Sequence, residues 1–270
     1  MSTSPTIDAL RIPYPDADEA HQLMQVSFDR LLAVLDALPP EAWSLPTACT
    51  AWDVRQMVAH QAGGYAAGTG YGEMLRQFTA IPRKGELPED AINRRQVRER
   101  ADKKPQELID ELRRVGAPAI HNWAYGFRLI KPIAVPHPVG GWFSMRHLMW
   151  VIHSRDTWMH RLDICRAAGL SFEQTAEHDG RIAGLVMRDV ALQLQPRLEG
   201  KALLFDLTGV AGGRFQAGEG EPVATVQMDV LEFNIFASGR YSFDEARNRW
   251  TISGDASLAE ALLRKMLVLY

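Results

Sequence analysis

The sequence is poor in cysteine and has no long apolar run. Only two of its 270 residues are cysteine, Cys49 and Cys165, which excludes a disulfide scaffold and favours a reducing compartment. No apolar stretch approaches the roughly 20 residues that a membrane-spanning helix needs. The N-terminus also lacks the basic start and apolar core of a signal peptide. We therefore predict a cytoplasmic protein with no membrane partner.

A strong excess of either charge is also missing. The formal net charge is -3 at pH 7, with 23% charged and 46% hydrophobic residues, a balance typical of globular proteins. Without an overall positive charge, we expect no nucleic-acid partner. The charged segment NRRQVRERADKK is interpreted as a solvated helix face, and a phosphate-binding patch is the less favoured alternative.

Helical periodicity dominates the first 170 residues. The spacing of apolar residues and the capping signals predict four long helices, at 16–38, from Asp53 onward, at 104–127 and at 144–168. The second of these helices carries His60, and glycines at 63 and 64 permit a close approach. The Pro/Gly-rich segment KPIAVPHPVGGWF predicts a loop before the fourth helix.

The pattern changes after residue 200. KALLFDL, VATVQM and RWTIS are short and rich in strand-forming residues, whereas DVLEFNIFASGR and ASLAEALLRKMLVLY predict helices. The fold class is therefore predicted as mainly α. A four-helix bundle over 1–170 is followed by a connecting helix within 171–199, interrupted early by Asp-Gly, and by a small α+β domain over 200–270.

Polar residues cluster on one face of the predicted fourth helix, in VIHSRDTWMHRLD. A helix turns by about 100° per residue, which places four side chains on one face: His153, Asp156, His160 and Asp163. Asp156 and His160 are separated by four residues, a spacing by which one helix binds one metal ion with two side chains.

The third ligand of the metal ion is expected on another helix. His153 and His160 are about 10 Å apart along the helix axis, an awkward span for a shared zinc, so His60 is the better candidate. Simpler interpretations stay open: an ordinary core or surface histidine at 60, an ion pair between Asp156 and His160, and a pocket-lining role for His153. Asp163 either orients an imidazole or is a surface charge.

One segment before the second helix resembles a family motif. EAWSLPTACTAWDVRQMVAH is similar to the W-x-x-P-T-x-C-x-x-W-x-V-x-x-x-V-x-H motif of the mycothiol-dependent maleylpyruvate isomerase family, which belongs to the DinB-like metal-binding bundles. The matching residues are Trp43, Pro46, Thr47, Cys49, Trp52, Val54, Val58 and His60. DTWMHRLDI resembles the family's E-x-x-x-H-x-x-D block, and FNIFASGR...WTISGDASLAEALL resembles its sterol-carrier-like second domain.

The resemblance implies a divalent metal, with zinc the expected ion, bound by His60, Asp156 and His160. Asp156 departs from the family pattern, where glutamate is usual. Because aspartate reaches one methylene less, His153 is a possible substitute ligand. Three protein ligands leave one coordination position open, as in catalytic zinc sites.

The resemblance also implies mycothiol as the cosubstrate. A metal-bound thiol is deprotonated, and the thiolate is the nucleophile. Addition to an activated double bond gives cis–trans isomerisation if the thiol is expelled, or S-transfer if it stays. Arg240, in SGR of the second domain, is the expected partner of an anionic group on the thiol or substrate; a turn-stabilising role is the alternative. Cys49 is interpreted as a packing residue.

Three functions follow from the sequence. The favoured one is a metal- and thiol-dependent transferase or isomerase of a small electrophile, working as a monomer or homodimer. The second is a metal-dependent hydrolase with a bound water, for which Asp156 or Asp163 would have to act as the base. The third is a non-catalytic small-molecule-binding bundle. Small residues in HQAGGYAAGTG leave room for a ligand beside the His60 helix, which favours the enzymes.

Overall fold

The first two helices begin at capping residues. The computed structural model describes residues 5–137 and 141–270. Helix α1 spans Ala17–Asp36, and the carboxylate of Asp16 accepts the backbone N–H of Glu19. Helix α2 spans Val54–Ala67 and starts at a reciprocal capping box of Asp53 and Gln56. These caps provide partners for N–H groups that a helix start leaves without any.

Two short helices and a third long one follow. Their bounds are α3 Tyr71–Phe78, α4 Pro88–Glu99 and α5 Pro105–Ala124. Proline occupies the first turn of α4 and of α5, where its missing N–H costs nothing. The long helix predicted at 104–127 is therefore confirmed, with its end three residues earlier.

One continuous helical segment carries the residues of the polar cluster. It consists of α6 Met145–His147, a π-helical turn over Leu148–Ile152, and α7 His153–Ala168. The hydroxyl of Ser144 caps it, and Gly169 ends it with a φ of +66°. The predicted helix at 144–168 is confirmed. The π turn was not predicted; such turns are rare and frequent at functional sites.

The Pro/Gly-rich segment before this helical segment is not entirely a loop. It contains a two-stranded sheet of β2 Ala134–His137 and β3 Gly141–Ser144. The loop prediction was wrong for these stretches, since Val135 and the aromatic residues at 142–143 have high strand propensity. Residues 138–140 of the segment lie outside the described residues.

Two compact units make up the described chain. One comprises Pro15–Val135 and Ser144–Phe172; the other comprises the described parts of Met1–Tyr14, Pro136–Phe143 and Glu173–Tyr270. In the first unit, α1, α2, α5 and α7 enclose an apolar core. Its fully buried members include Met24, Leu31, Met57, Leu108, Leu112 and Ile120.

The second unit is a helix-covered mixed sheet. Helix α8 runs from Asp179 to Leu198, so the expected interruption at Asp-Gly is instead its start, where the carboxylate of Asp179 accepts the N–H of Thr175. Strands β1 Thr6–Asp8, β4 Ala202–Thr208, β5 Gly213–Gly218, β6 Pro222–Asp229 and β7 Trp250–Gly254 form the sheet. Helices α9 Val230–Ala237, α10 Phe243–Ala246 and α11 Ala256–Leu263 complete the unit.

The strand order of this sheet is β1-β5-β4-β6-β7. The pairs β1–β5 and β4–β6 are parallel, and the other two pairs are antiparallel. Strands β4, β6 and β7 match the predicted strands, whereas β1 and β5 were not predicted. The mainly α fold with a C-terminal α+β part is confirmed. Among the described residues, no helix is long and apolar enough to cross a membrane.

Candidate metal centre

Two helices bring His60, Asp156 and His160 together. His60 lies on α2, and Asp156 and His160 lie one turn apart on α7. One ligand atom from each lies within 4.8 Å of the other two. Oδ1 of Asp156 is 3.2 Å from Nε2 of His160 and 3.5 Å from Nε2 of His60. The shorter aspartate thus reaches both imidazoles.

The atoms of these residues that face away from the cluster are already hydrogen-bonded. Nδ1 of His160 is 3.3 Å from Oδ2 of Asp163, and Nδ1 of His60 is 2.8 Å from Oε1 of Gln96. Oδ2 of Asp156 accepts a hydrogen bond from the side-chain amide of Gln61. Each histidine therefore directs its Nε2 atom at Asp156, and Asp156 offers a single oxygen.

The electrostatics keep Asp156 ionised. Burial alone would raise the pKa of this carboxyl, but the charges and hydrogen bonds of His160 and His60 outweigh burial and hold the pKa well below its ordinary value. The set thus offers two imidazole nitrogens and one carboxylate oxygen. That combination suits zinc and other first-row divalent ions, so the residues fit the implied metal by their chemistry.

Trp52 forms an aromatic wall beside the two histidines. Its ring stacks on His60 at a centroid distance of 4.7 Å and lies 5.8 Å from the ring of His160. The turn that carries Trp52 is held by a bridge between Pro46 and Asp53 and by the hydroxyl of Thr47, 2.8 Å from the Trp52 carbonyl. The motif preceding α2 therefore builds one side of the site. Cys49, in the same turn, packs against the bundle core.

His153 is not a member of the group that the structure brings together. Its ring stacks on Trp123 of α5 with a centroid distance of 3.7 Å. Burial lowers the pKa of His153 to about 4, so its imidazole is neutral at physiological pH. Because Asp156 reaches both other ligands, His153 is not needed as a substitute.

Arg240 lies in the other compact unit, three residues after α9 ends at Ala237. Its backbone N–H donates to the carbonyl of Ile235 at 3.1 Å, and Gly239 before it has a φ of +77°. The SGR segment is thus a helix-terminating turn. Its predicted role toward an anionic group stays a prediction.

The small residues of α2 do not all leave room for a ligand. A side chain at Gly63 would meet Gln96, and one at Gly68 would lie 2.6 Å from the Cβ of Ala119, whereas Gly64 faces open space. Gly63 and Gly68 are therefore used for close helix packing. The expectation that this stretch leaves room for a ligand stays a prediction, with open space at Gly64 and Gly70.

The charged segment over 93–104 is more than a solvated face. Gln96 and Arg100 are buried, and Arg100 forms an ion pair with the buried Glu111 at 2.7 Å. Arg94 pairs with Glu86 at 2.9 Å. Because these cations are used within the bundle, the segment does not favour the phosphate-binding alternative.

Three glutamines next to the site were not assigned a role from the sequence: Gln61, Gln77 and Gln96. Gln61 follows His60 directly, and this adjacency in the sequence was the available signal. Gln77 and Gln96 lie in α3 and α4, and both are almost fully buried. Only the three-dimensional packing reveals their connection to His60.

The fold and the site define a class: a helical bundle with a site of two histidines and one aspartate. Residues 25–165, more than half of the chain, match the family model described as mycothiol maleylpyruvate isomerase N-terminal domain. The chain belongs to this family, and the match includes all three residues of the site.

Two solved structures are similar over most of the chain. They are crystal structures of a mycothiol-dependent maleylpyruvate isomerase, 17% identical with a TM-score of 0.56, and of a histidine-to-alanine mutant of that enzyme, 16% identical with the same TM-score. Each covers 88% of this chain and 93% of its own. This likeness shows the fold. The search of curated proteins found no match.

Proposed function

We propose that the protein is a cytoplasmic, metal- and thiol-dependent enzyme that isomerises or S-conjugates a small electrophile, with mycothiol as the thiol. Family membership supports the thiol-dependent part of this proposal. The observation that carries the metal-dependent part is the convergence of His60, Asp156 and His160. Zinc is the ion that this ligand set favours.

The three residues would bind the ion through Nε2 of His60, Nε2 of His160 and Oδ1 of Asp156. When bound, the ion supplies a Lewis acid that keeps a thiol ionised at neutral pH, where a free thiol of pKa about 8.5 is mostly protonated. Asp163 holds the ring of His160 in orientation, and Gln61 restricts Asp156 to one oxygen. Trp52 covers one face of the His60 ring.

A second polar group is present beside the ligands. Oε1 of Gln61 is buried and has no hydrogen-bond partner among the described residues. A buried acceptor without a donor is costly, so an N–H or O–H of the bound thiol or substrate would be stabilised there. Arg240 is predicted to bind an anionic group of the thiol or substrate. His153 is predicted to line the pocket.

The alternatives are less well supported. A hydrolase needs a free carboxylate to activate water, whereas Asp156 contacts both imidazoles and Asp163 contacts the ring of His160. A non-catalytic bundle does not require a partly buried, ionised carboxylate between two imidazoles, which is costly unless it has a use.

Metal analysis and turnover together test the proposal. The purified protein should contain about one divalent ion, and His160→Ala should lose the ion and all turnover. His121→Ala, which changes an exposed histidine on α5, should leave both unchanged.

The thiol is tested by omission. A panel of electrophiles is incubated with mycothiol, with glutathione or without thiol, and turnover should require mycothiol. Arg240→Ala should retain the ion and weaken saturation by thiol or substrate, since guanidinium binds carboxylates well. Full turnover without any thiol would reject the proposal and favour the hydrolase.

A further inference from the structure

A chain of buried side-chain amides leads from His60 to the backbone of its own helix. Oε1 of Gln96 is 2.8 Å from Nδ1 of His60, and Nε2 of Gln96 donates to Oε1 of Gln77 at 2.7 Å. Nε2 of Gln77 then donates to the carbonyl oxygen of Gly63 and to Oε1 of Glu73, both at 2.9 Å. The two glutamines are 4% and 0% exposed, so water does not compete for these bonds.

The end of this chain fixes the direction of every bond in it. A backbone carbonyl only accepts hydrogen bonds, so the group that Gln77 directs at Gly63 must be its NH2. The carbonyl oxygen of Gln77 then faces Gln96, so Gln96 must donate a hydrogen bond from its own NH2. The carbonyl oxygen of Gln96 is left facing Nδ1 of His60, and this nitrogen must carry the proton.

Glu73 reinforces the same direction. Hydrogen bonds from Arg76 hold the pKa of Glu73 below its ordinary value, so the carboxylate is ionised at neutral pH and only accepts. Two acceptors therefore face Nε2 of Gln77. Reversing the Gln77 amide would set its oxygen against both of them.

Close packing of α2 and α4 makes the contact possible. A Cβ on Gly63 would lie 2.4 Å from the Cβ of Gln96 and 2.5 Å from its Cγ. At its C-terminal end, α4 is held by the buried pair of Arg100 and Glu111. Gln96 is therefore fixed against His60 from both sides.

We propose that Gln96, oriented by Gln77, is the positioning residue that holds His60 in its Nδ1–H tautomer. A neutral imidazole with its proton on Nδ1 has its lone pair on Nε2, the atom 3.5 Å from Oδ1 of Asp156. The amide chain thereby prepares His60 as a ligand before any ion binds. Metal-binding histidines commonly have such a partner. Here the partner is an uncharged amide, whereas His160 has the carboxylate of Asp163.

This inference extends the metal-binding part of the proposed function, so its test includes a readout without metal. Nitrogen-15 NMR of the metal-free protein assigns the proton of each imidazole. We expect the Nδ1–H tautomer for His60 in the wild type and a mixture of tautomers in Gln96→Leu. The spectra are taken at a pH where the His60 ring is neutral, and a neutral wild-type ring with its proton on Nε2 would overturn the proposal whether or not the protein binds metal.

Metal affinity is the second readout, measured by competition of zinc with a chelating dye. Gln96→Leu should weaken affinity about 10–100-fold, the usual effect of losing such a partner. Gln96→Glu keeps an acceptor for Nδ1 and should keep the tautomer, but it loses the NH2 that donates to Oε1 of Gln77. Gln106→Leu, at an exposed glutamine of α5, controls for the change of residue type.

The variants separate positioning from stability. If Gln96→Leu does not fold, the His60 tautomer in the wild type and in Gln96→Glu still tests the proposal. Wild-type affinity and an unchanged tautomer in a folded Gln96→Leu protein would show that the amide chain is structural only. Loss of the Nδ1–H tautomer in a folded Gln96→Glu protein would also refute the proposal, since the acceptor for Nδ1 is retained.

Discussion

Adjacent glycines of α2 provide a matched pair of substitutions. Gly63 and Gly64 are both interior helical residues. A methyl group on Gly64 would meet nothing within 4 Å, whereas one on Gly63 would lie 2.4 Å from the Cβ of Gln96. The two alanine variants therefore share the same gain in helix propensity and differ in the collision with α4.

The magnitude follows from the geometry. Each variant gains about 1 kcal/mol in helix propensity, and overpacking costs Gly63→Ala about 1–3 kcal/mol. Relieving the contact from 2.4 Å to an ordinary 3.4 Å requires a shift of about 1 Å. Because Cβ and Cγ lie close to the backbone, α4 itself must move. That shift would stretch the 2.8 Å contact of His60 with Gln96 beyond hydrogen-bonding distance.

Urea unfolding and zinc affinity measure the two consequences. Gly64→Ala should be as stable as the wild type or more stable, with unchanged affinity. Gly63→Ala should be about 1–3 kcal/mol less stable than Gly64→Ala and bind zinc about 10-fold more weakly. Equal stability and affinity in the two variants would show that α4 does not need this approach.

Two further predictions concern buried groups. Glu111→Gln should cost about 3–5 kcal/mol because it leaves the charge of Arg100 buried without the opposite charge of its partner, whereas Asp110→Asn at an exposed pair should cost at most about 1 kcal/mol. Burial alone would raise the pKa of Glu111, but Arg100 and Lys103 hold it below its ordinary value of 4.5. The stability that ionised Glu111 contributes is thus fully present above pH 4.5 and is lost as pH falls through the lowered pKa. Acid unfolding of Glu111→Gln should lack this loss of stability. His153→Ala should retain metal but change turnover, as metal analysis and kinetics will show; loss of metal there would make His153 a ligand.

Much of the bundle could be predicted because its signals are local. Asp16, Asp53 and Ser144 cap the helices that they were expected to start, and Gly169 ends the last one. The separation of Asp156 and His160 by one helical turn places both on one face whatever the rest of the fold does. His60 required more, because its place on another helix of the bundle made it only the better candidate for a third ligand, and the family resemblance then supported the choice.

Strands β1 and β5 could not be predicted in the same way. β5 lies in a glycine-rich segment, GRFQAG, whose composition is typical of a loop. It is a strand because β4 and β1 provide hydrogen-bonding partners on both of its sides. Strand propensity depends strongly on such context, and β1 lies about 200 residues from its partner along the sequence.

The inward face of α4 escaped prediction for a different reason. Its buried positions are Ala91, Gln96 and, at the C-cap, Arg100, so apolar periodicity finds no buried stripe and indicates a solvated helix. Burying an amide and a guanidinium is costly unless each is hydrogen-bonded, and here each is bonded to another buried side chain. An apolar face would stabilise the same packing more simply. A polar face that ends at Nδ1 of His60 is therefore better explained by what it does for the imidazole than by what it adds to stability.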